Sequence, residues 1–354
     1  MKINKSFAED IKQIRERMLP TREHSRRIIH WEEEHRIRTG RGKALVFILP
    51  TRGCSWALSG SGGCSVCGYL YDNPQHPDPD LMKSSFSEIL NNKITQEEEY
   101  SIKIFTSGSF LDTNEISLDV QKSILQELQK YPQIKEIVLE SRPEYVTEKI
   151  LQQIASIIDI KKIEIAIGLE SSNNQILKNS INKGFFWEDF EKAVKRILDA
   201  NAKVKAYLLF KPPFVTEYDS IKDIFQSVSK IEKLGIDTIS INAVSIHRGT
   251  FLSKLFENNH YRPPWLWSIV HLCKELKSKF PKLRIIFDVV AGGNIRGSHN
   301  CGECDKELLK QIKKFTLSQD IQAFDEGVHC SCKEEWKGSL FQEKISLNDF
   351  YSNT

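Results

Sequence analysis

The chain has 354 residues, 40% of them apolar and 10% aromatic, enough to bury one large core or two ordinary ones, which excludes a disordered chain. Its charged start, MKINKSFAEDIKQIRERM, holds no apolar run of signal-peptide type, and nothing approaches the roughly eighteen apolar residues of a membrane span. A cytoplasmic protein with no membrane partner is expected, and there eight cysteines read as metal ligands, catalytic groups or core residues rather than disulfides.

Net charge is +3, yet residues 1–43 carry twelve Lys or Arg against seven Asp or Glu, a local balance of +5. With Trp31 and several histidines beside it, such an arm suits a phosphate backbone, with Arg26 and Arg27 as contacts; a solvated amphipathic helix with ordinary ion pairs explains it equally well.

From residue 44 onward, short apolar runs rich in β-branched residues predict six strands: ALVFIL (44–49), YSIKIFTS (100–107), IKEIVLE (134–140), KIEIAIGLE (162–170), KVKAYLLF (203–210) and IDTISINAV (236–244). Between them, apolar spacings of three and four predict helices, as in ISLDVQKSILQELQKY and in DSIKDIFQSVSKIEKLG, which stops at Gly235. PPWLWSIVHLCKELKSKF reads as a further helix with Cys273 in its core face, followed by a seventh strand, LRIIFDVV. Strands alternating with helices imply a parallel α/β sheet, either open and doubly wound or curled into a full or partial barrel. Both architectures gather ligands at the carboxyl ends of the strands. The loop TRGCSWALSGSGGCSVCGYL directly follows the first of these strands, so it belongs at that mouth.

Within the loop, Cys54, Cys64 and Cys67 have the spacing C-x9-C-x2-C, and Gly60, Gly62, Gly63 and Gly68 let the chain bend around an inorganic core. A structural zinc would recruit a fourth ligand such as His76. A 4Fe-4S cluster on three thiolates keeps one iron open for a substrate or cofactor, and the spacing favours it. Near the end, Cys301, Cys304, Cys330 and Cys332 give C-x2-C-x25-C-x-C, a match to a closed tetrahedral zinc site that staples the tail across KELLKQIKKFTL. A second iron-sulfur cluster is the alternative, and His299 and His329 are adjacent alternative ligands.

The cysteine loop after the first strand of a six-stranded partial barrel resembles the radical S-adenosylmethionine superfamily, although the usual loop there is C-x3-C-x2-C. Four further segments are similar to its tRNA-modifying, Elongator-subunit-like branch: TSGSF (106–110), ESRPEYVTEKIL (140–151), IAIGLESSNNQILKNSINKG (165–184) and SIHRGTFLSKLFENNHYRPP (245–264). The long loop and the C-terminal cysteine pairs resemble the archaeosine-forming radical subunits of that branch.

The resemblance implies a partial (β/α)6 barrel of radical S-adenosylmethionine type over residues 44–290, after a basic extension (1–43) and before a small cysteine-rich metal-binding region (291–354). It implies that Cys54, Cys64 and Cys67 ligate a 4Fe-4S cluster whose open iron holds S-adenosylmethionine. Ser107, Gly108 and Ser109 would face the methionine end of that cofactor, although SGS lacks the acidic residue of the family motif and a plain strand-to-helix turn is the competing reading. Glu140 and Arg142 would be polar ligands of the cofactor, with an ion pair from Arg142 to Glu144 or Glu148 as the competing reading. Lys211 is a secondary candidate for the cavity.

The implied substrate is tRNA whose D-arm carries a lysine-modified 7-deazaguanine made by a lysine-transferring partner enzyme. With an electron donor, the chain would act as a carbon-nitrogen lyase that forms archaeosine. Two other readings stay open at this point. One is a radical enzyme adding a methyl, methylthio or carboxymethyl group to a tRNA base, and the other is a non-enzymatic, metal-stabilised tRNA-binding protein.

Overall fold

The computed structural model describes residues 3–17 and 27–346; side chains are described from residue 7 to residue 17 and from 27 to 345. Arg26 therefore lies outside the described residues, whereas Arg27 is exposed.

The apolar runs pair into one eight-stranded sheet, β1 (Ile29–Ile37), β2 (Gly40–Ile48), β3 (Tyr100–Phe105), β4 (Ile134–Ser141), β5 (Ile163–Glu170), β6 (Lys203–Phe210), β7 (Thr238–Ala243) and β8 (Arg284–Asp288), in that spatial order. Strands β2 to β8 run parallel, and each crossover carries helix or helical turns. All seven expected strands are present. β1 is additional: it forms an antiparallel hairpin with β2, in register from Ile37 opposite Gly40 to Ile29 opposite Ile48. Its sequence, IHWEEEHRI, hides it, because six of its nine residues are exposed and no apolar alternation marks a buried face.

The larger helices are α1 (Ile3–Glu16), α2 (Pro79–Lys93), α3 (Leu118–Gln129), α4 (Glu148–Ala155), α5 (Trp187–Asp199), α6 (Glu217–Lys233), α7 (Phe251–Glu257), α8 (Leu266–Lys279), α9 (Asp305–Ser318) and α10 (Cys332–Ser346). Local signals set their ends. The Asp78 carboxylate accepts the Asp80 and Leu81 amides ahead of Pro79, and Thr216 caps α6, which ends just before Gly235 at φ +79°. Among the described residues, no helix is long and apolar enough to cross a membrane.

Alternate strand residues go to opposite faces. Leu45, Phe47, Ile137, Leu139, Ile165, Ile167 and Leu208 are buried in the main apolar core, and the Phe47 ring lies 4.5 Å from Phe86 of α2. The intervening residues include apolar ones such as Val46, Val138 and Ala166 but also charged ones, Glu136, Glu164 and Lys205. At the amino ends of the strands, Arg284 of β8 reaches Glu136 of β4 at 3.1 Å, and Lys205 of β6 pairs with Glu164 of β5 at 2.8 Å. Arg38, from the β1–β2 turn, joins Glu164 at 2.9 Å and also Asp237. Contact between β8 and β4, four places apart in the sheet, requires the sheet to curl into a half-barrel, and these ion pairs close its lower end. Breaking one such buried pair leaves its partner uncompensated, at a cost of about 3–5 kcal/mol.

Candidate active site

The upper end, where the strands finish, stays open. Beyond β2 the cysteine loop folds back on itself. Gly63 (φ +79°) crosses Ala57 so closely that a Cβ on it would stand 2.7 Å from the Ala57 Cα. The segment after β5 pins the loop: Ser65 donates its amide to Ile181 O at 2.8 Å, and the Asn182 side-chain amide donates to Gly63 O at 2.8 Å. Trp56 Nε1 in turn donates to Asn182 O at 2.8 Å. Held this way, Cys54, Cys64 and Cys67 line one cavity of about 270 Å³ at the barrel mouth. Burial pushes the Cys67 thiol up to about 11 and raises that of Cys54 as well. His76 is exposed and does not line this cavity.

The turn after β3 forms the adjoining wall. Ser107 and Gly108 line the cavity, and Gly108 passes so close to Cys54 that a Cβ there would stand 2.6 Å from the Cys54 Cα. Ser109 is buried behind them. Its amide donates to Glu115 Oε2 at 2.6 Å, and its hydroxyl accepts the Arg142 amide at 3.0 Å. Glu115 also accepts the Thr51 hydroxyl at 2.8 Å, so a carboxylate six residues downstream supports the turn from beneath. Burial holds Glu115 up to about 7 despite those donors.

Glu140 and Arg142 both line the cavity. Burial raises Glu140 to about 8, opposed by a hydrogen bond from Tyr207. Arg142 does make the ion pair that competes with a binding role, Nε to Glu144 at 2.5 Å. Its Nη1 donates to Lys183 O at 3.0 Å, and its Cζ lies 5.4 and 5.1 Å from the Trp56 and Phe185 ring centroids. Its Nη2 is buried with no hydrogen-bond partner among the described residues.

Sequence reasoning missed several cavity residues. Lys183 pairs with Glu170 at 2.7 Å; burial opposes its charge, and Glu170 and the nearby Cys64 sulfur outweigh that effect. Tyr207, Asn242 and Asp288 approach from β6, β7 and β8. One signal was available: Tyr207, Asn242 and Asp288 are each polar residues near the carboxyl end of an apolar strand, and the strand register puts them on the same face as Glu164. Lys211 lies elsewhere, buried against Glu217 at 3.0 Å and lining a neighbouring groove. Cys273 is fully buried in α8, as expected of a core residue.

The C-terminal cysteines also converge. Cys301 and Cys330 sulfurs are 3.4 Å apart, Cys330 and Cys332 3.4 Å, and Cys304 and Cys332 3.6 Å, with all four within 4.8 Å of one another. Trp267 Nε1 and Asn300 Nδ2 donate to Cys332 and Cys304 sulfurs, each at 3.2 Å. Among the described residues this is the one group of His, Cys, Asp or Glu side chains close enough to hold a single ion. The three loop thiols form no such group.

A parallel half-barrel with a three-thiol loop at its mouth defines the class: the fold is that of radical S-adenosylmethionine proteins. The archaeal Methanocaldococcus infernus Elp3 superimposes with a TM-score of 0.51 at 17% identity, covering 72% of this chain and 65% of that one. Methylornithine synthase superimposes with a TM-score of 0.50 at 12% identity, covering 79% and 69%. No family model matches the sequence. The particular family follows from two curated relatives, both called archaeosine synthase subunit beta. That of Methanosarcina acetivorans is 36% identical over 357 residues, spanning 100% of this chain and 99% of its own. That of Thermococcus kodakarensis is 38% identical over 310 residues, spanning 87% and 95%. The chain belongs to the archaeosine synthase subunit beta family.

Proposed function

We propose that the protein is a radical S-adenosylmethionine enzyme of tRNA modification that breaks the carbon-nitrogen bond of a lysine-modified 7-deazaguanine in the D-arm, leaving the amidine nitrogen of archaeosine. Two near full-length relatives are called archaeosine synthase subunit beta, and the fold is compatible with the chemistry. The observation that carries the reading is the meeting of Cys54, Cys64 and Cys67 in one cavity beside an Arg142 whose buried Nη2 lacks a partner. Three thiols without a fourth ligand fit a 4Fe-4S cluster that keeps one iron open for S-adenosylmethionine. When bound, these groups supply a 5'-deoxyadenosyl radical, a suitable means of attacking a lysyl methylene that has no acidic proton.

The chain's own residues orient and enclose. Ser107 and Gly108 face the methionine end of the cofactor, with Ser109 and Glu115 fixing the turn, while Glu140 and Arg142 provide polar contacts. The proposed catalytic core is residues 44–290, to which the basic amino-terminal stretch adds β1 and the first residues of β2. A lysine-transferring partner subunit supplies the substrate in the cytoplasm, and an electron donor reduces the cluster. At the C-terminal site zinc is the ion: Zn–S bonds of about 2.3 Å in a tetrahedron put sulfurs about 3.8 Å apart, close to the spacings here, whereas a cluster spreads its thiolates across several irons.

The test is direct. Anaerobically reconstituted protein, given S-adenosylmethionine and reductant, should release 5'-deoxyadenosine and convert lysine-modified tRNA to archaeosine-containing tRNA. Conversion of tRNA bearing only the 7-deazaguanine nitrile, or inertness toward the lysine adduct while the cofactor is cleaved, would point to a different radical enzyme.

A further inference from the structure

The helix that precedes the barrel lies against the outer side of the cysteine loop. Arg15, near the end of α1, is only 4% exposed. Its Nη2 donates to the backbone carbonyls of Cys64 at 3.3 Å and Cys67 at 3.0 Å, and its guanidinium lies 5.8 Å from the Tyr71 ring centroid. Nε and Nη1 are buried and have no acceptor among the described residues. Gly62, at φ +72°, lets the loop run along the helix; a Cβ there would stand 2.7 Å from the backbone of Lys12. At the other end of α1, Phe7 packs edge-on against Phe251 and Phe214, with centroids 5.0 and 6.0 Å apart.

A buried guanidinium with two idle nitrogens is costly unless negative charge lies nearby. Two neutral carbonyls offset only part of that cost. A cluster on Cys54, Cys64 and Cys67 would bring three thiolates to the far side of those carbonyls, and one more negative charge on reduction. Arg142 lines the cavity on the inner side and interacts with Cys54 and Cys64, so the loop lies between two cations. This use of Arg15 also removes it from the charges free to meet a phosphate backbone.

We propose that α1 is a strap that seals the outer side of the cluster loop, and that Arg15 is a positioning residue that fixes the Cys64–Cys67 backbone and raises the reduction potential of the cluster. The inference rests on the reading of Cys54, Cys64 and Cys67 as cluster ligands. A fixed cation favours the state with more negative charge, and protection from solvent slows attack by oxygen.

The test uses the full chain, reconstituted anaerobically, as wild type, Arg15→Ala, Arg15→Lys and Phe7→Ala. Iron content, the midpoint potential from an electron paramagnetic resonance titration, and the rate at which the cluster absorbance bleaches in air are measured. Arg15→Ala should lower the midpoint potential and bleach about tenfold faster, the scale on which groups supporting metal ligands act. Arg15→Lys should restore the potential but only part of the air resistance, since it keeps the charge without the fork. Phe7→Ala, remote from the loop, should also bleach faster. Wild-type potential and bleaching in Arg15→Ala would overturn the proposal. Should that variant not fold, wild-type bleaching in Phe7→Ala would overturn it. If the wild type binds no more iron than Cys54→Ala does, the cluster reading itself fails and this one falls with it.

Discussion

Glu115 accepts the Ser109 amide at 2.6 Å and the Thr51 hydroxyl at 2.8 Å, joining the turn after β3 to the chain just beyond β2. Replacing it with Ala strands two buried donors at about 1–3 kcal/mol each. The urea midpoint of Glu115→Ala should therefore fall below that of the wild type, by about 2–6 kcal/mol of stability. A Glu115→Ala protein as stable as the wild type would show that the turn holds itself.

Each loop thiolate is expected to fill one corner of the cluster. Cys54→Ala, Cys64→Ala and Cys67→Ala should each lose the cluster absorbance and the release of 5'-deoxyadenosine, without graded effects among the three. Full cofactor cleavage by any one of them would remove that residue from the ligand set.

The C-terminal site should behave independently. Burial pushes the Cys304 thiol up, and a bound cation reverses that by favouring the thiolate. Cys304→Ala should lose one zinc per chain while keeping its iron, and α10 should become a site of rapid proteolysis, since metal binding contributes about 10 kcal/mol or more to folding in small zinc domains. Metal analysis of the wild type finding no zinc would refute the assignment.

Asp223 of α6, which belongs to neither cysteine site, gives a pH signature of its own. Its Oδ1 accepts the Ser171 hydroxyl at 2.8 Å, its Oδ2 is buried without a partner among the described residues, and burial raises the carboxyl to about 6. The folded state thus binds the proton more tightly than the unfolded one. Its contribution is fully present below about pH 4 and is lost as pH rises to about 6, by about 3 kcal/mol for a shift of roughly two units. In urea titrations, Asp223→Asn should gain on the wild type by about that much between pH 4 and pH 7. A constant difference across that range would mean the carboxyl titrates normally.

Much of the architecture is legible in local patterns. Strands β2 to β8 announce themselves because a sheet buried on its outer face needs apolar residues at alternate positions. The two cysteine groups stand out because a metal site would need several thiolates close together, and the short spacings C-x2-C and C-x-C already bring six of the seven cysteines into neighbouring pairs; the structure brings the four C-terminal ones together. β1 leaves no such trace, because its exposed faces impose little on the sequence and pairing with β2 alone makes it a strand.

The sequence by itself determined the class of fold, the place of the cysteine loop after a strand, and the grouping of the four C-terminal cysteines, since each depends on neighbours close along the chain. Only the tertiary structure decided which charges serve the site and which serve the frame. Arg15 and Arg38 are both arginines of the basic amino-terminal stretch, yet one reaches the carbonyl of Cys67, 52 residues away, and the other reaches Glu164, 126 residues away. Likewise Lys183, Tyr207 and Asp288 share one cavity through the curl of the sheet. The reason is physical: a charge finds its partner by distance in space, and at separations of fifty residues or more that distance is fixed by packing of the whole barrel rather than by anything in the local sequence.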